Sequence, residues 1–277
     1  MKIAITGGSG RVGRSLVEMA LAEGHSVVSI DRVPTENPGN NDHLSFFQAD
    51  ITDYAALLNA FRGCDALAHL AAIPAPGSFP DPLVHNNNVV GSYDALRAAV
   101  EVGIQSICQA SSVNATGLAY SRRPRFDYFP LDELHPSYNE DPYSLSKWIC
   151  EEQANSMARR YEELTLSSLR FHWVVADRAA AANAKSYSGE SEMAAKNLWG
   201  YTTFAASARA CLLALTAGFK GHEVFYVVAP QTTSSLPSLE LREKHYPDVP
   251  VRGDLNGHHS FFDCRKAERM LGWKHDQ

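Results

Sequence analysis

Lys2-Ile3-Ala4-Ile5-Thr6-Gly7-Gly8-Ser9-Gly10-Arg11-Val12-Gly13 is the stretch whose reading decides the fold. Its first five residues alternate and favour extended structure, which predicts a buried strand. Gly7 to Gly13 form a glycine-rich turn. Arg11 to about Gly24 carries Val12, Leu16, Val17, Ala20 and Leu21 at the spacing of one helix face. A glycine turn between a strand and a helix start suits a phosphate: the backbone can come close, and free N–H groups and the helix dipole face the anion. Glycine turns are common, so the turn alone says little. Its context says more. Val27-Val28-Ser29-Ile30 reads as a second strand and ends on Asp31, about twenty residues past the turn, where an acid can accept both hydroxyls of an adenine ribose.

Outward from that stretch, strands and helices alternate. Leu44 to Gln48, Ala66 to Ala71, Ile104 to Ala110, Leu164 to Leu169 and about Glu223 to Ala229 read as strands. Helices are expected from Asp53 (as N-cap) to about Arg62, from Pro82 to Val102, from Pro142 to Tyr161 and from about Thr203 to Ala217. Two short helices are expected near 237–245 and 263–271. The connections are too long for hairpins, so the pattern predicts an α/β fold: a doubly wound parallel sheet of the Rossmann type with helices on both faces. The expected division is a dinucleotide-binding domain over 1–170 and a small C-terminal substrate-binding lobe over 171–277, interleaved with the last strands. Three stretches are irregular: a polar loop to about residue 43, a long loop over 113–141, and an alanine-rich segment over 176–200. The last is either a lid or an ordinary surface connection.

Composition narrows the partners. With 277 residues the chain can bury a full core. Its net charge of −6 supplies no basic field for nucleic acid or an anionic membrane. No apolar run approaches a membrane span, and the chain enters a strand at once, so neither membrane association nor a signal peptide is expected. The 5 cysteines are scattered without a CxxC pair, as expected of reduced thiols in a cytoplasmic protein. The 11 histidines show no ligand spacing, and no metal site is expected.

The residues that carry chemistry come later. Tyr143 and Lys147 stand one helical turn apart and share a face. An ammonium beside a phenol would pull its pKa below about 10 and make it a usable acid or base. Ser112, at the end of the fifth strand, can donate to the oxygen of a reacting carbonyl. The pair alone is weak evidence. A cofactor turn, an acid after strand two, a serine after strand five and the Tyr/Lys pair, in that order, are far more specific together.

In these motifs the chain resembles the extended short-chain dehydrogenase/reductase family, the NAD-dependent epimerase/dehydratase group, from Met1 to about Trp273. Thr6 to Gly13 is similar to the family's TGxxGxxG, which implies cofactor contacts at Gly7, Ser9, Gly10, Arg11, Val12 and Gly13. Asp50-Ile51 resembles its adenine-contacting position; the other reading of Asp50 is a strand end that caps a turn. Leu70-Ala71-Ala72 resembles the segment that runs along the cofactor. Asn88-Val89-Val90-Gly91-Ser92 resembles NVxGT, whose asparagine holds the active-site helix and lysine. Tyr143-Ser144-Leu145-Ser146-Lys147 resembles YxxxK, with tyrosine as acid/base and lysine on the nicotinamide ribose. Ser112 matches the catalytic Ser/Thr. Phe262-Asp263, Lys266-Ala267 and Leu271-Gly272-Trp273 resemble the closing motif.

The implied cofactor is NAD, because Asp31 would repel a 2′-phosphate; Arg11 and Arg32 leave NADP as the alternative. The implied activity is hydride transfer to or from a secondary alcohol or carbonyl of a sugar-like molecule. The alternatives are a sugar or sugar-nucleotide epimerase with retained NAD, and a non-catalytic nicotinamide-binding regulatory protein. The resemblance also implies a homodimer through the helices near 82–102 and 142–161.

Departures from the family pattern matter. Ala115-Thr116-Gly117 replaces V-Y-G, Phe171-His172-Trp173 follows Arg170 where Pro and Asn are usual, and Ala205-Ala206-Ser207-Ala208 replaces an Arg-Asp-Val-Ala run. These put the usual sugar-nucleotide contacts in doubt. Ser112-Val113-Asn114 is not the Thr-Asp-Glu of 4,6-dehydratases. The length is closer to uronate dehydrogenases, which also place a polar residue two after the serine. Asn114 and His172 are therefore the candidate substrate contacts, with packing the other reading for His172 and Trp173.

Overall fold

The computed structural model describes residues 1–34 and 41–275. The loop expected before residue 43 lies partly outside them. The strands are β1 (Lys2–Thr6), β2 (Ser26–Asp31), β3 (Leu44–Gln48), β4 (Ala66–His69), β5 (Ser106–Ser112), β6 (Thr165–Phe171), β7 (Val174–Val175), β8 (Thr202–Thr203) and β9 (Gly221–Val227). Seven form one parallel sheet in the order β3-β2-β1-β4-β5-β6-β9, and β7 pairs with β8 apart from it. The order reverses between β1 and β4, which opens a crevice at the carboxyl ends of the strands.

Side-chain alternation sorts the two faces. Ile3 and Ile5 of β1, Ala66 and Ala68 of β4, and Leu169 and Phe171 of β6 face one way. They pack against α1 (Arg11–Ala22) and α7 (Phe204–Leu215). Ala4, Leu67, Ile107 and Leu166 face the other way, against α2 (Tyr54–Phe61), α3 (Asp81–Glu101) and α4 (Pro142–Arg160). Local signals start these helices. The Asp53 carboxylate accepts from the Ala56 N–H at 3.0 Å, and the Asp141 carboxylate accepts from Tyr143 and Ser144 N–H at 3.0 and 2.9 Å. Pro142 follows Asp141 in the first turn, where its missing N–H is harmless.

The fifth strand starts two residues later than expected. After α3 the chain folds back through Gly103 in a left-handed conformation, φ +91°, and the Ile104 N–H bonds to Ala99 O at 2.9 Å. That helix-closing turn uses residues expected in the strand. Ser111 and Ser112 therefore lie inside β5, with Ser112 paired to Phe171 of β6.

A second core gathers Phe129, Leu131, Leu198, Trp199, Tyr226, Leu241, Phe261 and Phe262. It draws on the 113–141 loop as well as on residues beyond 170, including α8 (Ser238–His245), with α9 (Arg265–Leu271) closing the described chain. The 176–200 segment holds α5 (Arg178–Ala182) and α6 (Glu192–Lys196) and is anchored by Trp199, which is fully buried and donates its indole N–H to Gly189 O at 2.7 Å.

Burial lowers the pKa of several histidines within this frame, three of them strongly. Burial drives His69 down to about 3, and His172 and His222 to about 4. His222 sits between the Ser168 hydroxyl and the Asn155 amide oxygen, each at 2.7 Å. All three are neutral in the fold, whereas the unfolded chain protonates them below about 6.5. The unfolded state therefore takes up more protons between about pH 6.5 and 4, and stability falls as pH drops through that window. The urea midpoint should decline steadily from neutrality toward about pH 4, with a shallower decline in His222→Gln. A midpoint flat across the window would contradict this.

Candidate active site

The glycine turn is packed backbone against backbone. Gly7 has φ +73°, and a Cβ there would lie 2.7 Å from the Ala71 nitrogen; a Cβ on Gly13 would lie 2.1 Å from Gly7 O. The first turn of α1 thus rests on the loop and points its free N–H groups into the crevice. Beside it the Asp31 carboxylate accepts from Ser9 N–H at 3.1 Å and Arg32 N–H at 2.7 Å. Each carboxylate oxygen keeps further lone-pair capacity for a ribose hydroxyl.

A cavity of about 310 Å³ opens here, walled by Gly7, Gly10, Arg11, Val12 and Gly13 of the turn, Asp31 and Arg32 after β2, Asp50 and Ile51 after β3, and Leu70, Ala71 and Ala72 after β4. Asp50 also caps a turn, accepting from Thr52 N–H and hydroxyl at 3.0 and 2.8 Å, and the backbone bond holds its carboxyl below the ordinary value. Both readings of Asp50 therefore hold in part.

Four expected cofactor residues do not line this cavity: Tyr143 and Lys147 line its neighbour, and Ser9 and Asn88 line neither. Ser9 turns its hydroxyl away, donating to Val33 O at 2.7 Å. Asn88 is buried in α3, where its amide brackets Ile73, accepting from its N–H at 2.8 Å and donating to its carbonyl at 3.0 Å. The same amide donates to the Ser146 hydroxyl at 3.1 Å, one residue before Lys147. Asn88 is thus a positioning residue that joins the loop after β4 to α4.

Tyr143, Lys147 and Ser112 meet at one wall of a second cavity, about 400 Å³. This cavity shares Arg11, Val12, Leu70, Ala72 and Pro74 with the first, so the two form one cleft. The Lys147 ammonium donates to Ala110 O at 2.7 Å and lies 5.9 Å from the centre of the Tyr143 ring. Burial pushes the Tyr143 phenol well above its ordinary value, with a hydrogen bond to Ser112 pulling it back. This corrects the expected lowering by Lys147: the ammonium is tied to a backbone carbonyl, and burial also lowers its own pKa. Tyr143 here is a protonated donor.

The candidate substrate residues both reach this cavity. Asn114 accepts from Ala119 N–H at 3.1 Å. His172 has both ring nitrogens engaged, accepting from Trp173 N–H at 2.7 Å and donating to Asn197 O at 2.9 Å, so its nitrogens are already occupied within the protein.

The sequence reading missed Glu151. It lies one turn beyond Lys147, on the face already occupied by Tyr143, and that spacing was the available signal. Its carboxylate forms a buried two-point pair with Arg170 of β6, 2.9 and 2.8 Å, and accepts from the Ser111 hydroxyl at 2.5 Å. Arg170 also reaches the Tyr226 hydroxyl at 3.3 Å. Tyr120, Tyr187 and Asn197, likewise not anticipated, complete the wall facing Tyr143.

The sheet order and this cleft define a dinucleotide-binding α/β protein with serine, tyrosine and lysine grouped at the far end of the cofactor crevice. Within that class, the chain belongs to the NAD dependent epimerase/dehydratase family, whose model matches residues 3–196. It is 31% identical over 164 residues to the NAD-dependent glucose-6-phosphate dehydrogenase of Haloferax volcanii, covering 57% of this chain and 62% of that one. It is 33% identical over 156 residues to UDP-glucose 4-epimerase of Lacticaseibacillus casei, covering 54% and 45%. The aligned part therefore spans only about half of these relatives. Across its whole length the fold is similar to that of MoeE5 in complex with UDP-glucose and NAD, with a TM-score of 0.74, 21% identity and 94% of that chain covered. The crevice fits the family's NAD: the glycine cradle would be filled by any Cβ, and Asp31 stands at its edge.

Leaving one partner of the buried pair behind should be costly. Glu151→Gln should destabilise the fold by about 3–5 kcal/mol in urea titrations, and the double change Glu151→Leu/Arg170→Met should recover much of that loss. Equal destabilisation by the single and double changes would contradict a paired-charge role.

Proposed function

We propose that the chain is an NAD-dependent oxidoreductase that moves hydride between its cofactor and a secondary alcohol or carbonyl carbon of a sugar-like small molecule. The observation that carries this reading is the single cleft joining the glycine turn to Ser112 and Tyr143. When bound, NAD supplies the hydride acceptor or donor. The turn N–H groups would take its pyrophosphate and Asp31 its adenine ribose, with Lys147 toward the nicotinamide ribose. Ser112 would donate to the substrate oxygen. Tyr143 would give its phenolic proton to that oxygen during reduction and receive it back during oxidation. Asn88 and the Glu151–Arg170 pair would keep α4 in register beneath these groups.

Relatives named for UDP-glucose 4-epimerase activity support a second reading, in which the same carbon is oxidised and re-reduced. Net release of NADH with a sugar substrate separates the first reading from an epimerase, which keeps its cofactor. Tyr143→Phe should lower kcat by about 10²–10⁴-fold. Turnover unchanged in Tyr143→Phe would contradict the assignment and favour a non-catalytic, nicotinamide-binding role.

We also propose a homodimer through α3 and α4, which leave Leu83, Val90, Tyr93, Leu145 and Trp148 exposed. Light scattering should give twice the mass of one chain, and Trp148→Glu should give a monomer. A wild-type monomer at micromolar concentration would contradict the dimer. Among the described residues no helix is long and apolar enough to cross a membrane, and all five cysteines are free thiols, which supports a reducing, cytoplasmic setting.

A further inference from the structure

Resting on the activity proposed above, we propose that the substrate is an uncharged ring-form sugar packed against an aromatic wall made by Trp173 and Tyr187, rather than a nucleotide sugar, a sugar phosphate or a sugar acid.

Size is the first argument. The cavity at Tyr143 encloses about 400 Å³, toward the small end of ligand pockets of about 300–1,000 Å³. Part of its wall, Arg11, Val12, Leu70, Ala72 and Pro74, is common to the dinucleotide crevice, so the reactive end of the cofactor and the substrate must share that space. A monosaccharide ring fits what is left far better than a sugar carrying a nucleoside diphosphate.

Charge is the second argument. Among the described residues lining this cavity, the cations are Arg11 and Lys147. Neither is dedicated to this cavity. Arg11 opens α1 and lines the dinucleotide cavity too, and Lys147 donates to Ala110 O at 2.7 Å. A substrate phosphate or carboxylate would lose water against aromatic faces without a guanidinium or ammonium of its own, which is strongly unfavourable. The remaining polar lining, Ser112, Asn114, Tyr143 and Tyr187 among it, is neutral and offers both donors and acceptors, as sugar hydroxyls require.

Shape is the third argument. Trp173 and Tyr187 stack with ring centroids 4.0 Å apart and planes 13° from parallel, and His172 meets Tyr187 edge-on at 5.9 Å. That stack closes one face of each ring, so a sugar's face of slightly positive C–H groups would meet the outer side of the pair along the cavity, a contact that suits the negative face of an aromatic ring. The wall is set in place beforehand. Trp173 N–H is bonded to His172 Nδ1, and the Tyr187 carbonyl accepts from the Thr233 hydroxyl. Burial raises the Tyr187 phenol to about 12, so it remains a neutral hydroxyl.

The test uses the full chain with excess NAD. Neutral aldopentoses and aldohexoses are titrated beside the matching uronic acids, sugar 6-phosphates and UDP-sugars. Tryptophan fluorescence and saturation-transfer NMR report binding, and NADH absorbance reports turnover. Neutral sugars should bind most tightly, with the strongest saturation transfer to their ring C–H protons. Trp173→Ala should weaken them about tenfold, and Trp173→Phe should restore most of the affinity. Tighter binding of any charged series would overturn the inference. So would binding indifferent to Trp173→Ala in a variant whose circular dichroism is native, or no binding by any sugar. Turnover of a sugar phosphate or UDP-sugar in preference to neutral sugars would leave the oxidoreductase reading standing while this inference falls. Neutral sugars that bind without NADH formation would do the reverse.

Discussion

The site depends first on how closely backbone approaches backbone at Gly7 and Gly13. A methyl group at Gly13 would sit 2.1 Å from Gly7 O, and one at Gly7 would meet the Ala71 backbone at 2.7 Å. The strand, the turn and the helix start can be stacked this tightly because those side chains are missing. The stacking aims unpaired N–H groups at the crevice and sets Leu70, Ala71 and Ala72 beside it. Small residues at the carboxyl end of β4 keep the crevice open along its length, toward Ser112 and Tyr143.

The second support is α4, whose buried face carries Tyr143, Lys147 and Glu151 at successive turns. Two neighbouring strands fix them. Ser112 engages Tyr143 from the end of β5, Ala110 O takes the lysine, and Arg170 of β6 takes the glutamate. Asn88 of α3 holds Ser146 between them. A helix bound at so many points to two strand ends has little freedom to slide, and a reacting group needs that rigidity to stay aligned. Burial sets the protonation states: the tyrosine stays protonated, and the histidines around the sheet stay neutral.

Much of this was legible in the sequence because it is local. Alternation gave the strands, Asp53 and Pro142 gave two helix starts, and the order of turn, acid, serine and Tyr/Lys gave the family and the cleft. What escaped was non-local. One core cluster packs Phe261 against Phe129 and Trp199, partners far apart in the chain that no window of sequence joins. Glu151 and Arg170 are of types that ordinarily sit at the surface, and their burial follows only from their pairing between α4 and β6. Helical spacing brought Lys147 near Tyr143 but could not show that the ammonium bonds to Ala110 O, so the direction of the tyrosine shift was misread. The fifth strand began late because the turn closing α3 occupied Ile104.

The claim at the centre is that the amides of the glycine turn hold a dinucleotide pyrophosphate and so bring the nicotinamide to Tyr143. Isothermal titration calorimetry of the wild-type chain and of Gly13→Ala with NAD and NADH tests it most directly. Saturable binding at one site per chain, lost in Gly13→Ala while its circular dichroism stays native, is the predicted result. No affinity of the folded wild-type protein for either dinucleotide would contradict the account.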